Sequence, residues 1–372
     1  MKAKKRKLTM QRIALSFLLL VVVFSGCKKN DPEAGSTGKD NSLASRPHPM
    51  NLRGFEQINL VSDVAEYNPR HIDVNLVNAW GIAFSATGIP WISSADKGLS
   101  VIYDTSGNTV RPPVSIPFHG DPNGGNPTGV VFNSTQNFII SANSERSKFI
   151  FATENGTIAA WSSGNSAITV ADRSAYHAVY KGLALATTGT ANYLYATNFK
   201  GGAIDVFDQS FNYVSMPIVD PGIPAGFAPF GIQTIGGKLY VTYAKQLGPD
   251  NRDDESGPGN GYVSIFNPDG SFVRRFASQG VLNSPWGIAM VPEQHNQNPT
   301  ILIGNFGDGH INAFDANGTV LGHLTHGNQD IELEGLWGIA FASNDTAEGM
   351  RLYFTAGPDD EEHGLFGVLS RE

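Results

Sequence analysis

The stretch Pro285-Trp286-Gly287-Ile288-Ala289-Met290 is the clearest copy of a short motif that recurs along the whole chain. Close copies run from Asn78 to Phe84 and from Leu336 to Phe341, and weaker ones are spread between them. The motif glycines are Gly81, Gly129, Gly182, Gly231, Gly287 and Gly338, at intervals of 48, 53, 49, 56 and 51 residues. A steady period of this length, made of short apolar runs and turns, predicts repeated β units that stack on one another.

Each repeat contains a β-hairpin signal after its glycine. In the fifth repeat, Gly309–Asp315 alternates with period two, and Ala316-Asn317-Gly318 then turns the chain into Thr319–Leu324. An Asn-Gly pair between two strand-like runs favours a tight hairpin, because both central residues of the turn need positive φ. Matching turns are Asp104–Gly107, Thr153–Gly156 and Asn267–Gly270. The pattern indicates four strands per repeat, and the closed arrangement of such units is a β-propeller.

The last repeat lacks an outer strand. It has strand-like runs at Gly338–Phe341, Arg351–Thr355 and Leu365–Leu369, and the chain then stops at Glu372. An unassigned run, Phe55–Val61, precedes the first repeat and can supply the missing strand, which also removes an exposed sheet edge. We therefore predict an all-β fold: residues 53–372 form a six-bladed β-propeller with four-stranded blades, the last closed by an N-terminal strand. The alternative is a β-sandwich with chance Trp-Gly pairs.

The N-terminal residues have the pattern of a targeting segment. Residues 1–26 combine a basic leader with the apolar run Ile13–Phe24, which is short for a membrane span. Small residues before Cys27, the only cysteine, resemble the lipobox of bacterial lipoproteins, whose cysteine is lipidated. A plain secretory signal cleaved near Gly26 and an uncleaved anchor are the alternatives. Residues 27–52 are polar and predict a flexible tether. We expect an extracytoplasmic protein held to the cell envelope by its lipid, in the outer membrane where one exists, because Lys28 rather than aspartate follows the cysteine.

The charge balance of the processed protein excludes one class of partner. The full chain has 26 basic and 34 acidic residues, and six basic residues precede Cys27, so 20 remain against 34, a net charge of −14. Nucleic acids are bound through basic surfaces, so we expect none as a partner. We expect a monomer that contacts the membrane only through its N-terminal lipid.

The residues of the motif itself read as structural. Glycine allows the innermost strands to approach one another around a narrow axis. We expect the tryptophan or proline before each glycine to pack between blades.

The loops after the second and fourth strands of each repeat are long and rich in oxygen-bearing side chains, and they share one face of a propeller. Binding residues usually lie on such loops. Asparagine is also predicted to end the second strand in three repeats, where it either caps its own turn or belongs to a ring of amides. The binding-face candidates are His119, Asp121, Asn126, Asn143, Asn198, Asn305, Asp308, His310 and Glu334.

Acidic residues concentrate in the same loops. Oxygen ligands on flexible loops suit Ca²⁺, the cofactor we expect; the alternative is that these acids are only solvated. The candidate ligands are Asp250, Asp253, Asp254, Glu255, Asp359, Asp360, Glu361 and Glu362. No nucleophile elbow, HExxH, CxxC pair or phosphate-binding glycine loop is present, and the nine histidines lack metal spacing.

Three segments carry a resemblance to a known family: Pro127–Phe132, Phe149–Ile158 and the Trp-Gly-Ile-Ala copies. They resemble an uncharacterised family of secreted bacterial β-propeller proteins over about residues 53–370, and more weakly NHL-type propellers. The resemblance implies the fold and export but supplies no catalytic residues. We therefore expect a non-catalytic binding or scaffold module for a protein or glycan. The alternative is a metal-dependent hydrolase similar to six-bladed lactonases, for which Glu334 is the nearest metal-binding glutamate.

Overall fold

The computed structural model describes residues 50–292, 299–342 and 350–371, in which short strands follow one another with no α-helix. Six antiparallel sheets stand around a common axis. Their innermost strands, which carry the six motif copies, contact one another in sequence around the axis, and the last contacts the first, which closes the ring. This confirms the predicted six-bladed β-propeller. Within these residues no helix is long and apolar enough to span a membrane.

The first three blades follow a short N-terminal pair, β1 (Glu56–Ser62) and β2 (His71–Ile72). Blade 1 comprises β3 (Ala79–Phe84), β4 (Pro90–Ser94), β5 (Leu99–Ile102) and β6 (Val114–Ser115). Blade 2 comprises β7 (Pro127–Phe132), β10 (Phe149–Thr153), β11 (Thr157–Trp161) and β12 (Ile168–Asp172), with the hairpin β8 (Ile139–Ile140) and β9 (Glu145–Arg146) inserted. Blade 3 comprises β13 (Tyr180–Thr188), β14 (Ala191–Asn198), β15 (Ala203–Phe207) and β16 (Tyr213–Val214).

The remaining blades have the same order of strands from the axis outward. Blade 4 comprises β17 (Phe227–Ile235), β18 (Lys238–Lys245), β19 (Gly261–Phe266) and β20 (Phe272–Ser278). Blade 5 comprises β21 (Pro285–Met290), β22 (Thr300–Asn305), β23 (Ile311–Asp315) and β24 (Val320–His323), followed by the hairpin β25 (Thr325–His326) and β26 (Gln329–Asp330). Blade 6 comprises β27 (Leu336–Ala340), β28 (Met350–Ala356) and β29 (Leu365–Arg371). The short 3-10 helices are Ala65–Tyr67, Ala95–Lys97 and Ser174–Tyr176.

The N-terminal strand closes the last blade. Strand β1 pairs antiparallel with β29, with Glu56 opposite Ser370 and Ser62 opposite Leu365. It therefore occupies the outer position that the sixth repeat leaves vacant, and the predicted closure is confirmed. Strand β2 adds a short parallel pairing outside it.

Asp side chains organise several turns between the third and fourth strands. Asp315 Oδ1 accepts hydrogen bonds from the backbone N–H groups of Asn317 and Thr319, both at 2.8 Å. Gly318 has a φ of +90°, as this turn requires. Asp104 and Asp208 make the same pair of contacts in blades 1 and 3. The opposite face carries long connections at residues 215–226 and 246–260, but residues 95–98, 154–156 and 199–202, which follow the second strands of blades 1 to 3, are short, contrary to the prediction.

Blade 2 differs from the prediction by one strand. Its second strand is β10, which ends at Thr153, so Thr153–Gly156 joins the second and third strands rather than the third and fourth. Asn143 therefore does not end a second strand; it lies between β8 and β9. The physical reason is burial, because all five residues of β10 are buried, whereas Ile139 of β8 is exposed.

Close packing of the innermost strands requires the motif glycines. A Cβ atom at Gly81 would lie 2.4 Å from the carbonyl oxygen of Thr128, and one at Gly129 would lie 2.4 Å from the backbone nitrogen of Leu183. Both are overlaps, so a larger residue would push the blades apart. Farther from the axis, apolar layers fill the space between neighbouring blades; Trp91 of blade 1, for example, stacks on Phe149 of blade 2 with ring centroids 4.1 Å apart.

Candidate functional site

The six residues that precede the motif glycines meet where the innermost strands begin. This is the loop-rich face, which carries the loops after the second and fourth strands. The six are Trp80, Thr128, Lys181, Phe230, Trp286 and Trp337. Five of them are uncharged, and Lys181 alone brings a charge to the axis.

The three tryptophans pack on one another across the axis. Trp80 and Trp337 stack with ring centroids 3.5 Å apart, and Trp286 meets them edge-on at 6.0 and 5.8 Å. Phe306 stacks on the other side of Trp337 at 4.0 Å. The rings of Trp80 and Trp337 therefore meet between the neighbouring blades 6 and 1, those of Trp286 and Trp337 meet between blades 5 and 6, and Trp286 also reaches Trp80 across the axis.

Lys181 is buried beside this aromatic layer, with 3% of its side chain exposed. Its ammonium group pairs with Glu154, lies 3.8 Å from Asp253 and 4.8 Å from the centre of the Trp80 ring. Burial alone lowers the pKa of Lys181. The negative charges of Glu154, Asp253 and Glu361 outweigh burial and raise the pKa above its ordinary value. The lysine is therefore charged at neutral pH.

Glu361 is a second titratable group at the same place. Asn78 Nδ2 donates a 2.8 Å hydrogen bond to its Oε2. Burial raises the pKa of Glu361 to about 7, and the charges of Glu154 and Asp96 add to this effect, against the opposing effects of Lys181 and Asn78. Near neutral pH this carboxyl group can therefore donate or accept a proton.

The loop that presents Glu361 is strained. Asp359, Asp360 and Glu361 have φ values of 56°, 53° and 70°, so three consecutive residues with side chains adopt the left-handed region. Asn78 is left-handed too, with a φ of 49°, and its Oδ1 accepts a 3.2 Å hydrogen bond from Nε1 of Trp337. Strain of this kind is retained mainly at functional sites. We call the group of Asn78, Trp80, Glu154, Lys181, Asp253 and Glu361 the axial cluster.

Two indole N–H groups beside the axial cluster have no hydrogen-bond partner within the described residues. They belong to Trp80 and Trp286, and both nitrogens are buried. A cavity of about 60 Å³ is lined by Trp286 and by residues of the innermost strands. Buried donors are normally paired, so unpaired donors at the mouth of a tunnel are available to an acceptor group.

Five of the eight acids predicted to bind calcium have protein partners. Asp250 pairs with Lys200, and Lys245 Nζ lies 2.7 Å from Glu255. Asp253 and Glu361 belong to the axial cluster. Asp254 accepts a 3.0 Å hydrogen bond from Ser256, whereas Asp359, Asp360 and Glu362 lie in the strained loop. As they stand, no three His, Cys, Asp or Glu side chains among the described residues are placed to hold a metal ion. Calcium binding stays a prediction.

The side chains of the three asparagines of the predicted amide ring form hydrogen bonds within the protein. Asn198 and Asn305 end their strands as predicted. The Oδ1 atom of Asn198 accepts hydrogen bonds from the backbone N–H groups of Val179 and Gly201, and Asn305 Nδ2 donates to Val281. Of these contacts, only the bond from Gly201 to Asn198 caps the residue's own turn, as the alternative interpretation has it, because Val179 and Val281 lie 19 and 24 residues away along the chain. Asn143 Nδ2 donates to Ser162 within blade 2.

Three candidates on the loop that follows blade 1, His119, Asp121 and Asn126, make their contacts outside the axial cluster. His119 is exposed and lies 3.4 Å from Asp172, Asp121 accepts a bond from the backbone of Asn123, and the backbone of Asn126 donates to Asn155. Glu334, the candidate for a tunnel metal ligand, is exposed.

Asp308 and His310 belong to a second group of titratable side chains on blade 5. His310 Nδ1 lies 3.2 Å from Asp308. The Nε2 atom of His310 lies 4.0 Å from Asp330 and 3.7 Å from Glu332, and His323 Nε2 lies 2.8 Å from Asp330. We call these five residues the blade-5 cluster. Sequence spacing missed His323, because its approach to His310 depends on the pairing of β23 with β24.

Lys181 and Glu154 were missed as well. A signal for Lys181 was present, since a charged residue occupies a position that is aromatic in four other motif copies. Glu154 gave no such signal, because its turn was assigned to the wrong face.

The fold and the similar sequences together show the family to which the chain belongs. The chain is a six-bladed β-propeller. It is 35% identical over 316 residues to uncharacterized protein L690 of Acanthamoeba polyphaga mimivirus, covering 81% of this chain and 82% of the relative. It is 34% identical over 321 residues to uncharacterized protein R648 of the same virus, covering 81% and 77%. The chain belongs to the propeller family that includes L690 and R648.

Solved structures share the architecture at low sequence identity. A structural genomics protein of unknown function from Bacteroides thetaiotaomicron has a TM-score of 0.52 at 12% identity, over 80% of this chain and 70% of that one. A streptogramin B lyase has a TM-score of 0.49 at 15% identity, over 85% and 96%. No family model matches the sequence. The relatives named here are viral, so the bacterial part of the predicted resemblance has no support from them.

Proposed function

We propose that this protein is an exported, lipid-anchored binding module without catalytic activity, which recognises a protein or a glycan at the axial cluster. The observation that carries this proposal is the charged pair of Lys181 and Glu154, buried on the loop-rich face. Burying an ion pair costs several kcal/mol in desolvation per ion, and its mutual attraction often only offsets that cost. The other five blades complete the same ring with uncharged residues, so the architecture does not need the pair.

The chemistry of the axial cluster suits a ligand with both donors and acceptors. Asp253, with 74% of its side chain exposed, and the carboxyl group of Glu361 accept hydrogen bonds. The Lys181 ammonium and the unpaired indole N–H groups donate them. Sugar hydroxyl groups and peptide groups offer both functions, which is why a glycan or a protein segment fits this proposal. Nothing comparable favours the hydrolase alternative.

Site-specific crosslinking tests the proposal. A photoreactive phenylalanine derivative at position 253, in the full chain in its native membranes, is expected to capture a protein partner. The matched control places it at Asp269, in a turn on the opposite face. Binding of the labelled propeller to a glycan array tests whether the ligand is a glycan.

Combining Lys181→Met with Glu154→Gln is expected to abolish either signal while the fold, checked by circular dichroism, is kept. Equal capture at both positions, or array binding that survives the double substitution, would contradict binding at the axial cluster.

A further inference from the structure

An arginine lies over two exposed tyrosine rings at blade 3, outside the axial cluster. Arg173 belongs to the connection between β12 and β13, and Tyr176 ends the 3-10 helix of the same connection. Tyr213 begins β16, the outermost strand of the blade. The Cζ atom of Arg173 lies 4.0 Å from the centre of each tyrosine ring. We call these three residues the Tyr–Arg–Tyr site.

The hydrogen bonds of Arg173 distinguish it from the other arginines that lie over aromatic rings. Within the described residues these others are Arg111, Arg274 and Arg275. Each of the three donates a hydrogen bond: Arg111 to Gly164, Arg274 to Ala316 and Asn317, and Arg275 to Asp220. The guanidinium group of Arg173 donates none to any residue that the structure describes, and its Nε atom is buried. Its hydrogen-bonding capacity is therefore unused.

The tyrosine rings of the site are also unusual. The rings beneath the other three arginines are buried, whereas Tyr176 is 69% exposed and Tyr213 is 46% exposed. Covering a buried ring accounts for the other three contacts and does not account for this one. Tyrosine and arginine side chains that combine exposed rings with free donors are typical of binding sites.

The guanidinium group is held in place before any ligand arrives. The backbone N–H of Arg173 donates to Gly156 at 2.8 Å, and its carbonyl oxygen accepts from Tyr176 at 2.9 Å. Asp205 Oδ2 lies 3.7 Å from Nε, on the buried side. The two Nη groups therefore form the part of the side chain that is left for an acceptor at the surface. A fixed site of this kind loses little conformational entropy on binding.

The chemistry of the site favours a small ligand that carries an oxyanion. A guanidinium group only donates hydrogen bonds, and its planar fork matches a carboxylate. Exposed tyrosine rings pack on the apolar C–H face of a sugar ring. The site has three side chains, far fewer than the about 800 Å² per partner of a stable protein interface requires.

We propose that the Tyr–Arg–Tyr site binds a carboxylated sugar of a glycan. The carboxylate pairs with the Nη groups of Arg173, and the sugar ring packs on the exposed ring of Tyr176. This contact does not depend on the axial cluster, so Lys181→Met combined with Glu154→Gln is expected to leave it unchanged.

Saturation-transfer NMR with the full chain tests the proposal. The probes are methyl glucuronide, methyl glucoside, which has a hydroxymethyl group in place of the carboxylate, and acetate, which has no sugar ring. Methyl glucuronide is expected to bind with a dissociation constant on the order of millimolar, as its size allows. The other two are expected to bind roughly 10-fold more weakly or less. The proposal is overturned if the glucuronide does not bind, or if the glucoside or acetate binds equally tightly.

Two variants locate the binding. Arg173→Lys keeps the charge but removes the planar fork, so we expect the glucuronide to bind roughly 10–100-fold more weakly. Tyr176→Ala removes an exposed ring and is expected to weaken binding roughly 3–10-fold. The matched control is Arg274→Lys, because Arg274 lies over Phe276 but already donates its hydrogen bonds within the protein. Equal binding by Arg173→Lys and Arg274→Lys, or unchanged binding by Tyr176→Ala, would also overturn the proposal.

Discussion

Lys181 occupies a position where four of the other blades place an aromatic side chain and the fifth places Thr128. Its charge is held by Glu154 from the neighbouring blade, and by the face of Trp80, which attracts cations. Among the six motif copies, the one in blade 3 therefore carries the charged side chain at this position, and Glu154 supplies the opposite charge.

Substituting one partner of this pair is expected to be costly. Lys181→Met leaves Glu154 without its partner at a site where 20% of the side chain is exposed, so we expect the free energy of unfolding to fall by about 3–5 kcal/mol. Adding Glu154→Gln should restore most of the loss, because no unpaired charge then remains buried. Urea denaturation of the four variants of this double-mutant cycle measures the coupling.

The control for this cycle is the pair of Lys245 and Glu255, which is 38% and 45% exposed. Breaking an exposed pair is expected to cost less than about 1 kcal/mol. Equal losses in the free energy of unfolding at both pairs would mean that burial does not make the protein more dependent on the Lys181–Glu154 pair.

Glu361 makes the stability of the fold depend on pH. In the folded protein the pKa of Glu361 is raised to about 7, whereas its ordinary pKa is 4.5. Between these values the folded state binds more protons than the unfolded state, so stability falls as the pH rises through this window. Glu361→Gln, which remains neutral, is expected to be more stable than the unaltered protein at pH 8, by on the order of 1–3 kcal/mol.

Denaturant unfolding at pH 4 and pH 8 measures this effect. The advantage of Glu361→Gln should disappear at pH 4, and the exposed neighbour Glu362→Gln serves as the control. An equal advantage at both pH values would show that proton binding is not its cause.

At the scale of elements, the N-terminal strand is part of the last blade. Phe55, Leu60 and Val61 are each at most 1% exposed, and burial of such side chains contributes about 1.5–3 kcal/mol each. A variant that starts at Asn78 lacks these residues and leaves the edge of β29 open. We expect it to unfold or aggregate, whereas a variant that starts at Leu52 should be as stable as the full mature domain. Equal melting temperatures would contradict this role for β1.

At the scale of the whole molecule, the proposed anchor lies outside the described residues. Cys27→Ser is expected to leave the protein without lipid and to move it from the detergent phase to the aqueous phase in a phase-partitioning experiment. Ser25→Ala, which keeps a small residue before the cysteine, should behave like the unaltered protein. Unchanged partitioning of Cys27→Ser would mean that residues 1–26 have another role.

Calcium remains a prediction for the loop-rich face. We expect a weak site, on the order of millimolar as in many extracellular modules, that stabilises the fold by ~1–3 kcal/mol at saturating Ca²⁺. Thermal melts with EDTA and then with excess Ca²⁺, at matched ionic strength, measure it. Identical melting temperatures and no calorimetric signal would leave these acids as solvated or ion-paired side chains.

The sequence by itself determined the number of blades and the closure of the ring. The reason is that both depend on local and repeated signals. Glycine in each motif copy permits the close approach of the inner strands, and turns that begin with aspartate join the outer strands. The count of apolar runs leaves one strand missing from the last blade, and Phe55–Val61 supplies it. Where a repeat contains an insertion, as blade 2 does at β8 and β9, the same counting assigns the wrong strand.

Only the tertiary structure decided which polar side chains meet. Lys181, Glu154 and Glu361 come from three blades, and their approach depends on the geometry of the ring and on a left-handed turn that no local pattern predicts. The tryptophans of blades 1, 5 and 6 pack on one another at the axis, because strands that are distant in sequence converge there. His310 and His323 lie on one blade, but the register of β23 and β24 and the path of the following hairpin place them together. The proposed binding site therefore depends on long-range convergence of loops, whereas the fold depends on repetition.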